Sequence, residues 1–297
     1  MRQAADFFGF MAERERIRLR REAGSPAPWT QDDILAAYKF TNVRRQHDRT
    51  SRELIEDFYS RHSNSDKSEI LLNCALFRYF GTIEFARAIG WQDPILFDPE
   101  RVKSIAKTRL SEGQRVFTGA YVITNQGIAA PKQNVVVDYF IKGLFNALSG
   151  LIHVVETTNK WEDLIAHMKN VVGFGGTGFM AKEVVLDTMY TGFWGPVNVD
   201  GFSFPSDWLL YTPIGPGALR GAARLLGHDD PKAPGTKISQ VKAASLIRDL
   251  CDFQGDYWPE EFGKLAPHDI QFQLCEWDKY QRVLLGQGRP RSRFRSG

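Results

Sequence analysis

At 297 residues, with 43% hydrophobic and 25% charged residues, the chain can bury a full core as one large domain or two small ones, which sets aside a disordered protein. A net charge of +3 is too small to announce a nucleic-acid binder by its total. Cys74, Cys251 and Cys275 stand far apart and outside any CxxC pair, which argues against a disulfide framework or structural zinc.

The opening MRQAADFFGFMAERERIRLRRE turns charged too early for a signal peptide, and no apolar run is read as long enough to span a bilayer, so a cytoplasmic protein without membrane contact is expected. Arginine is clustered at residues 14, 16, 18, 20 and 21, at 44, 45, 49 and 52, and at 289, 291, 293 and 295. Such clusters suit phosphate, because the planar guanidinium makes paired hydrogen bonds to oxyanions; solvated helix faces are the alternative. Thr30 with Asp33 resembles a capped helix start. SRELIEDFYSR and SEILLNCALFRYFGTIEFARAIGW carry apolar residues at helical spacing, broken at Gly81 and Gly90. TGAYVITNQGIAAPKQNVVVDYF allows a short hairpin or a plain loop. DYFIKGLFNALSGLIHVV, WEDLIAHMKNVV, KISQVKAASLIRDLCDF and PHDIQFQLCEWDKYQRVLLG return to helical periodicity. The pattern predicts a mostly α bundle with at most a small β-hairpin: one domain over residues 1–285 and a basic tail over 286–297.

VVGFGGTGFMAKEVVLDTMY, residues 171–190, crowds glycines before a helix. Gly173, Gly175 and Gly178 fit a GxGxxG spacing, yet a dinucleotide site needs a preceding strand, and WEDLIAHMKNVV reads as helix. A Walker loop fails because no Gly-Lys-Ser or Gly-Lys-Thr follows. A helix, a glycine turn and a second helix over about 161–190 describe another anion site, in which Gly173, Gly175, Gly176, Thr177 and Lys182 would meet a DNA phosphate. A tight helix–helix turn that touches nothing is the plainer reading. The segment resembles the helix-hairpin-helix of DNA glycosylases: Val172, Gly173, Phe174 and Gly175 begin the pattern and Ala181, Val184 and Val185 continue it. Val172 stands where proline is usual, and Gly176 to Phe179 runs about two residues long. That superfamily carries a catalytic aspartate after the hairpin, and GPVNVDGFSF places Asp200 at about that distance. A carboxylate there would stabilise the sugar cation left by a departing base. Asp187, Asp207 and Asp278 are further candidates. In PIGPGALRGAARLLG, residues 213–227, Gly215, Gly217 and Arg220 form either a second phosphate clamp or a small-residue packing surface.

Together RERIRLRREAGSPAPWTQDDIL, YKFTNVRRQHDRTSR, LLNCALFRYFGTIEFARAIGW, TGAYVI, GFGGTGFMAKEVVLD, PIGPGALRG, LCEWDKYQR and GRPRSRF resemble the α-glutamyl/putrescinyl thymine pyrophosphorylase-like family, itself related to the helical domain of hydroxymethyluracil DNA kinases. The resemblance implies an all-α, glycosylase-like fold acting on modified pyrimidines in DNA, without a cofactor. It implies work of two kinds: a glycosylase that flips out and excises a bulky modified pyrimidine as a defence against phages, or a transferase attaching an amine or amino acid to phosphorylated 5-hydroxymethyluracil. The glycosylase-like place of Asp200 favours excision, and a non-catalytic reader of modified DNA is the third reading. Asn42, Arg45, Asp48, Arg49, Arg78, Glu84, Glu276 and Lys279 lie in these stretches and would line a base or modification pocket. Arg45, Arg49 and Arg52 would share one helix face. Buried ion pairs between helices are the alternative. One histidine, His47, falls in these motifs, so no metal site is expected.

Overall fold

The computed structural model describes residues 2–290 and Arg293. In chain order the α-helices are α1 (Arg2–Glu22), α2 (Asp33–Ala37), α3 (Arg49–Leu54), α4 (Lys67–Phe80), α5 (Ile83–Ile89), α6 (Pro99–Ser111), α7 (Lys132–Val135), α8 (Lys142–Thr158), α9 (Trp161–Met168), α10 (Phe179–Thr188), α11 (Pro216–Leu225), α12 (Gln240–Asp252) and α13 (Pro267–Leu284). Two π-helical stretches, Ile55–Tyr59 after α3 and Val136–Ile141 between α7 and α8, complete the regular structure with short 3-10 turns. No strand forms among the described residues; one antiparallel bridge joins Tyr38 to Arg293. The stretch 118–131 is turn and loop, with Gln126 and Gly127 at positive φ, so the hairpin option gives way to the loop. Of the tail arginines, Arg291 and Arg295 lie outside the described residues.

The chain packs as two compact units: Met1–Asp48 with Leu209–Gly297, and Arg49–Trp208. In the first, α1 buries Phe7, Phe8, Phe10 and Met11 against Trp277 of α13 and the α11–α12 pair. The seam between α11 and α13 is close enough that a Cβ on Gly221 would stand 2.0 Å from the Leu274 carbonyl oxygen, and one on Gly217 would stand 2.9 Å from Cys275 Sγ. Small residues let the two backbones approach, and the packing reading of this glycine element is the one its geometry displays. α2 begins at Asp33, but its cap is Asp32, which accepts from the Ile34 and Leu35 N–H groups; Thr30 Oγ1 instead accepts from Asp32 N. The cap therefore falls two residues later than the Thr30 reading, because the Asp32 carboxylate accepts from two of the orphan donors of the first turn.

In the second unit α4 is the hub, packed by α10, α8 and α5. Every residue from 70 to 80 is buried, as a helix apolar on all sides requires. Gly81 ends it at φ 69, a left-handed cap that glycine enters without strain. Asp98 caps α6 through the Glu100 and Arg101 N–H groups, with Pro99 at the first helical position. α7, the π stretch and α8 run as one helix, Lys132–Thr158, of 27 residues. By length and composition alone it is sufficient to cross a membrane, which corrects the reading that no apolar run approaches that length. Its buried face, Val135 to Val137, Phe140, Ile141, Leu144, Leu148, Leu151 and Val155, belongs to the core of this unit, and the core helix of a globular protein passes the same test.

Candidate functional site

The glycine turn 169–178 joins α9 to α10 within the second unit. Gly173, Gly176 and Gly178 hold φ of 95°, 64° and 73°, a region that L side chains avoid. Their surroundings separate their roles. A Cβ on Gly173 would stand 2.5 Å from the Phe140 ring and 2.6 Å from Tyr79 Oη, so this position serves packing. Gly176 faces open space, and Gly175 meets only the Lys169 carbonyl oxygen at 3.2 Å. Gly175, Gly176 and Thr177 are exposed, and among the described residues no hydrogen bond uses their N–H groups. Phe174 anchors the turn edge-on against Tyr79, while Val172 is 55% exposed. Lys182 does not join the bare turn: its side chain is buried, paired with Glu183 at 3.1 Å and set over the Phe179 ring.

Beneath the turn, α10 delivers Asp187 to Arg78 of α4. Arg78 Nε donates to Asp187 Oδ2 at 2.5 Å and Nη2 donates to Oδ1 and, at 3.1 Å, to Ser51 Oγ. Tyr59, placed by the π stretch, donates to Oδ2 at 2.8 Å, and Tyr121 donates to the Arg78 carbonyl. Burial works against the guanidinium charge, but Asp187 more than compensates and raises the Arg78 pKa well above its ordinary range. Both carboxylate oxygens are therefore committed to cross-linking the unit. Asp207 is also committed, accepting from the Trp161 and Glu162 N–H groups at the start of α9. Asp200 sits exposed on the tight turn 198–202, where Asn198 Oδ1 accepts from the Asp200 and Phe202 N–H groups; among the described residues nothing holds its carboxylate.

Arg45, Arg49 and Arg52 do not share a helix. Asp48 is extended at ψ 138° because its Oδ1 takes the Asn42 N–H at 2.9 Å, and α3 begins only at Arg49. Arg45 lies in the preceding 3-10 turn, over the Phe272 ring at 4.8 Å and 3.6 Å from Asp48. Arg49 pairs with Glu53 and Glu84 at 3.3 and 3.6 Å, and Arg52 with Glu56 at 4.0 Å.

Five of the sequence-read pocket residues do meet in the first unit. Asn42, Arg45 and Asp48 close the loop 40–48, and α13 holds that loop through Gln273, which donates to the Asn42 carbonyl at 2.9 Å, and Glu276, which accepts from Thr41 N at 3.3 Å. Lys279 donates to Glu276 at 2.6 Å. Arg14, read in the sequence only as part of the first arginine cluster, completes the clasp: its Nη2 donates to the Phe40 carbonyl at 2.8 Å, while among the described residues Nε and Nη1 have no hydrogen-bond partner. Burial brings its pKa down to about 10, with Glu276 and Asp48 opposing. The signal was present in the spacing, for Arg14 follows Phe7 and Met11 on the buried face of α1.

The fourth candidate aspartate, Asp278, is buried and held by Arg220 at 3.0 Å, Arg224 at 2.8 Å and Arg282 at 3.5 Å. Gly215 caps α11, the helix that carries Arg220 and Arg224, in an extended conformation.

Residues 2–289 match the family model described as 5-hmdU DNA kinase, helical domain. The chain is similar to a curated relative, the 5-hmdU DNA kinase of Bacillus phage SP10, with 30% identity over 231 residues; the match covers 72% of this chain and 35% of the relative. The chain thus spans about a third of that protein's length. No solved structure matches the chain.

Proposed function

Because the chain belongs to the family of 5-hmdU DNA kinase helical domains, we propose that it binds DNA carrying 5-hydroxymethyluracil-derived bases and acts in their hypermodification. In this reading the substrate is the phosphorylated hydroxymethyl group on the base. An amine or amino acid forms a C–N bond to the exocyclic methylene carbon while the C–O bond to phosphate breaks. The phosphate leaves with the electron pair, and the attacking nitrogen sheds a proton to solvent. The protein's share of such a reaction is positioning the base and stabilising the departing oxyanion, work for guanidinium groups and bare N–H donors.

The observation that carries the choice over base excision is the state of the aspartates. Asp187 is committed to Arg78 and Tyr59, Asp278 is held by three arginines, and Asp200 lies on an exposed turn where nothing among the described residues holds its carboxylate. A glycosylase needs a carboxylate fixed against the sugar. The exposed N–H groups of residues 175–177 support a second part of the reading, a contact to one backbone phosphate that positions DNA without reading its sequence.

The test is to incubate the protein with DNA carrying plain or phosphorylated 5-hydroxymethyluracil, with and without amines. Released bases and digested nucleosides are then measured by mass spectrometry. A heavier nucleoside that appears only with amine and phosphorylated base is the expected result. Free modified base with abasic sites would replace this reading with excision, and binding without any product would leave a reader of modified DNA.

A further inference from the structure

Asp278 is answered by more positive charge than it can neutralise. Arg224 is fully spent: Nε donates to Asp278 Oδ1 at 2.8 Å, Nη1 to the Asp229 carbonyl at 2.7 Å and Nη2 to Gln287 Oε1 at 2.9 Å. Arg220 and Arg282 are not. Each approaches Oδ2 through Nε alone, at 3.0 and 3.5 Å, and their Nη groups make no hydrogen bond among the described residues. Lys279 and Glu276, on the same helix, satisfy one another at 2.6 Å. Three guanidinium groups against one carboxylate leave an excess of two positive charges at a spot where the Asp278 side chain is 1% exposed. Arg220 and Arg282 keep side-chain exposures of 34% and 30%.

One guanidinium suffices to hold a buried aspartate. Crowding two more beside it costs mutual repulsion, which a bound dianion cancels. Arg220 Nη2 lies 3.9 Å from where a Cβ at Gly217 would stand, one turn earlier on α11, so no side chain at 217 covers that edge of the guanidinium. We infer that the Nη edges of Arg220 and Arg282, aligned by Asp278, form an oxyanion site for a phosphate group. Asp278 is here a positioning residue, and Arg224 its anchor. The inference rests on the modification reading only in taking DNA as the carrier of that phosphate. The backbone and a phosphomonoester on the base offer the same chemistry, and the experiment separates them.

Labelled duplexes, one plain and one carrying phosphorylated 5-hydroxymethyluracil, are titrated with Arg220→Gln and Arg282→Gln by fluorescence anisotropy across a salt series. Arg248→Gln is the control, since it removes the same charge from an exposed side chain on α12, outside the arginine clusters. Each site variant is expected to weaken binding about tenfold and to flatten the dependence of log K on log salt by about 0.9 per lost contact, with Arg248→Gln well below both. Equal losses on the two duplexes identify the backbone as the source, and losses confined to the phosphorylated duplex identify the base. Parental affinity and salt slope in both variants, or losses matched by Arg248→Gln, overturn the site. Should a glutamine variant melt early, Arg220→Lys keeps a charge beside Asp278 and is expected to fall between parent and glutamine. Product formation is not read here, so weakened binding alongside a failed modification assay would sink the function and leave the anion site standing.

Discussion

Asp187→Asn separates a structural carboxylate from a chemical one. The substitution keeps size and shape but leaves Arg78, whose side chain is 5% exposed, as a buried cation without its counter-ion. Breaking a buried pair in this way costs about 3–5 kcal/mol, set against a total stability of roughly 5–15 kcal/mol. For a domain of this size each kcal/mol moves the melting temperature by about 2–4 °C, so a fall of roughly 6–20 °C follows. Tyr59 keeps an acceptor in the asparagine oxygen and Ser51 still receives Arg78 Nη2, which favours the lower half of that range. Circular dichroism melts and urea titrations measure the loss. Asp200→Asn, on its exposed turn, is expected within about 0.5 kcal/mol of the parent. Removing both partners in Arg78→Met with Asp187→Leu is expected to recover much of the stability, because no buried charge is left alone. An Asp187→Asn protein that melts within 2 °C of the parent yet loses all activity would refute this reasoning and make Asp187 a chemical group.

Gly221→Ala drives a Cβ into the Leu274 carbonyl and is expected to cost at least about 3 kcal/mol by overpacking, read in the same melts, whereas Gly215→Ala meets nothing within 4 Å and should be near neutral. A folded Gly175→Val protein should bind DNA roughly ten- to a hundredfold more weakly, the worth of a hydrogen bond to a charged phosphate; unchanged anisotropy titrations would return the turn to packing alone. Burial, aided by Arg18, depresses the His47 pKa below 6.5, so below that pH the unfolded chain binds a proton that the folded chain resists. His47 thus contributes stability that is fully present above pH 6.5 and lost as pH falls toward its folded value. Urea midpoints between pH 7.5 and 5 should therefore fall less in His47→Gln than in the parent, and parallel curves would contradict the assignment.

The helices legible in the sequence are those whose apolar residues carry the whole signal, such as α4, α10 and α13. α1 escaped because its buried face ends in charges: after Phe7, Phe8 and Met11 come Arg14 and Glu15, both buried. α6 escaped for the opposite reason, since only Val102 and Ala106 are buried along it. Groups that meet at short range, Asn42 with Asp48 and Glu276 with Lys279, were named in the sequence only as members of one candidate pocket. Arg78 and Asp187 are 109 residues apart, and Arg220 and Arg224 reach Asp278 from 58 and 54 residues away on another helix, whereas Arg282 stands at i+4 on the same one. Spacing along one chain carries no trace of such distant pairs. The shared face of Arg45, Arg49 and Arg52 failed because a single side-chain acceptor, Asp48, held the backbone extended between them.

The interrupted sequence of the first unit sets an order of events during synthesis. Residues up to Asp48 leave the ribosome before the whole of Arg49–Trp208, and the rest of their unit begins only at Leu209. At about 5–20 residues per second, that interval lasts roughly 8–32 s. The contiguous second unit has all its partners by the end of that time, whereas α1 waits with Phe7, Phe8 and Met11 uncovered until α13, the helix that brings Trp277, has emerged. Within this unit the segment made earlier is thus buried later than the whole of the second unit, and the arginines and glutamates that close α1 keep a waiting apolar helix in solution.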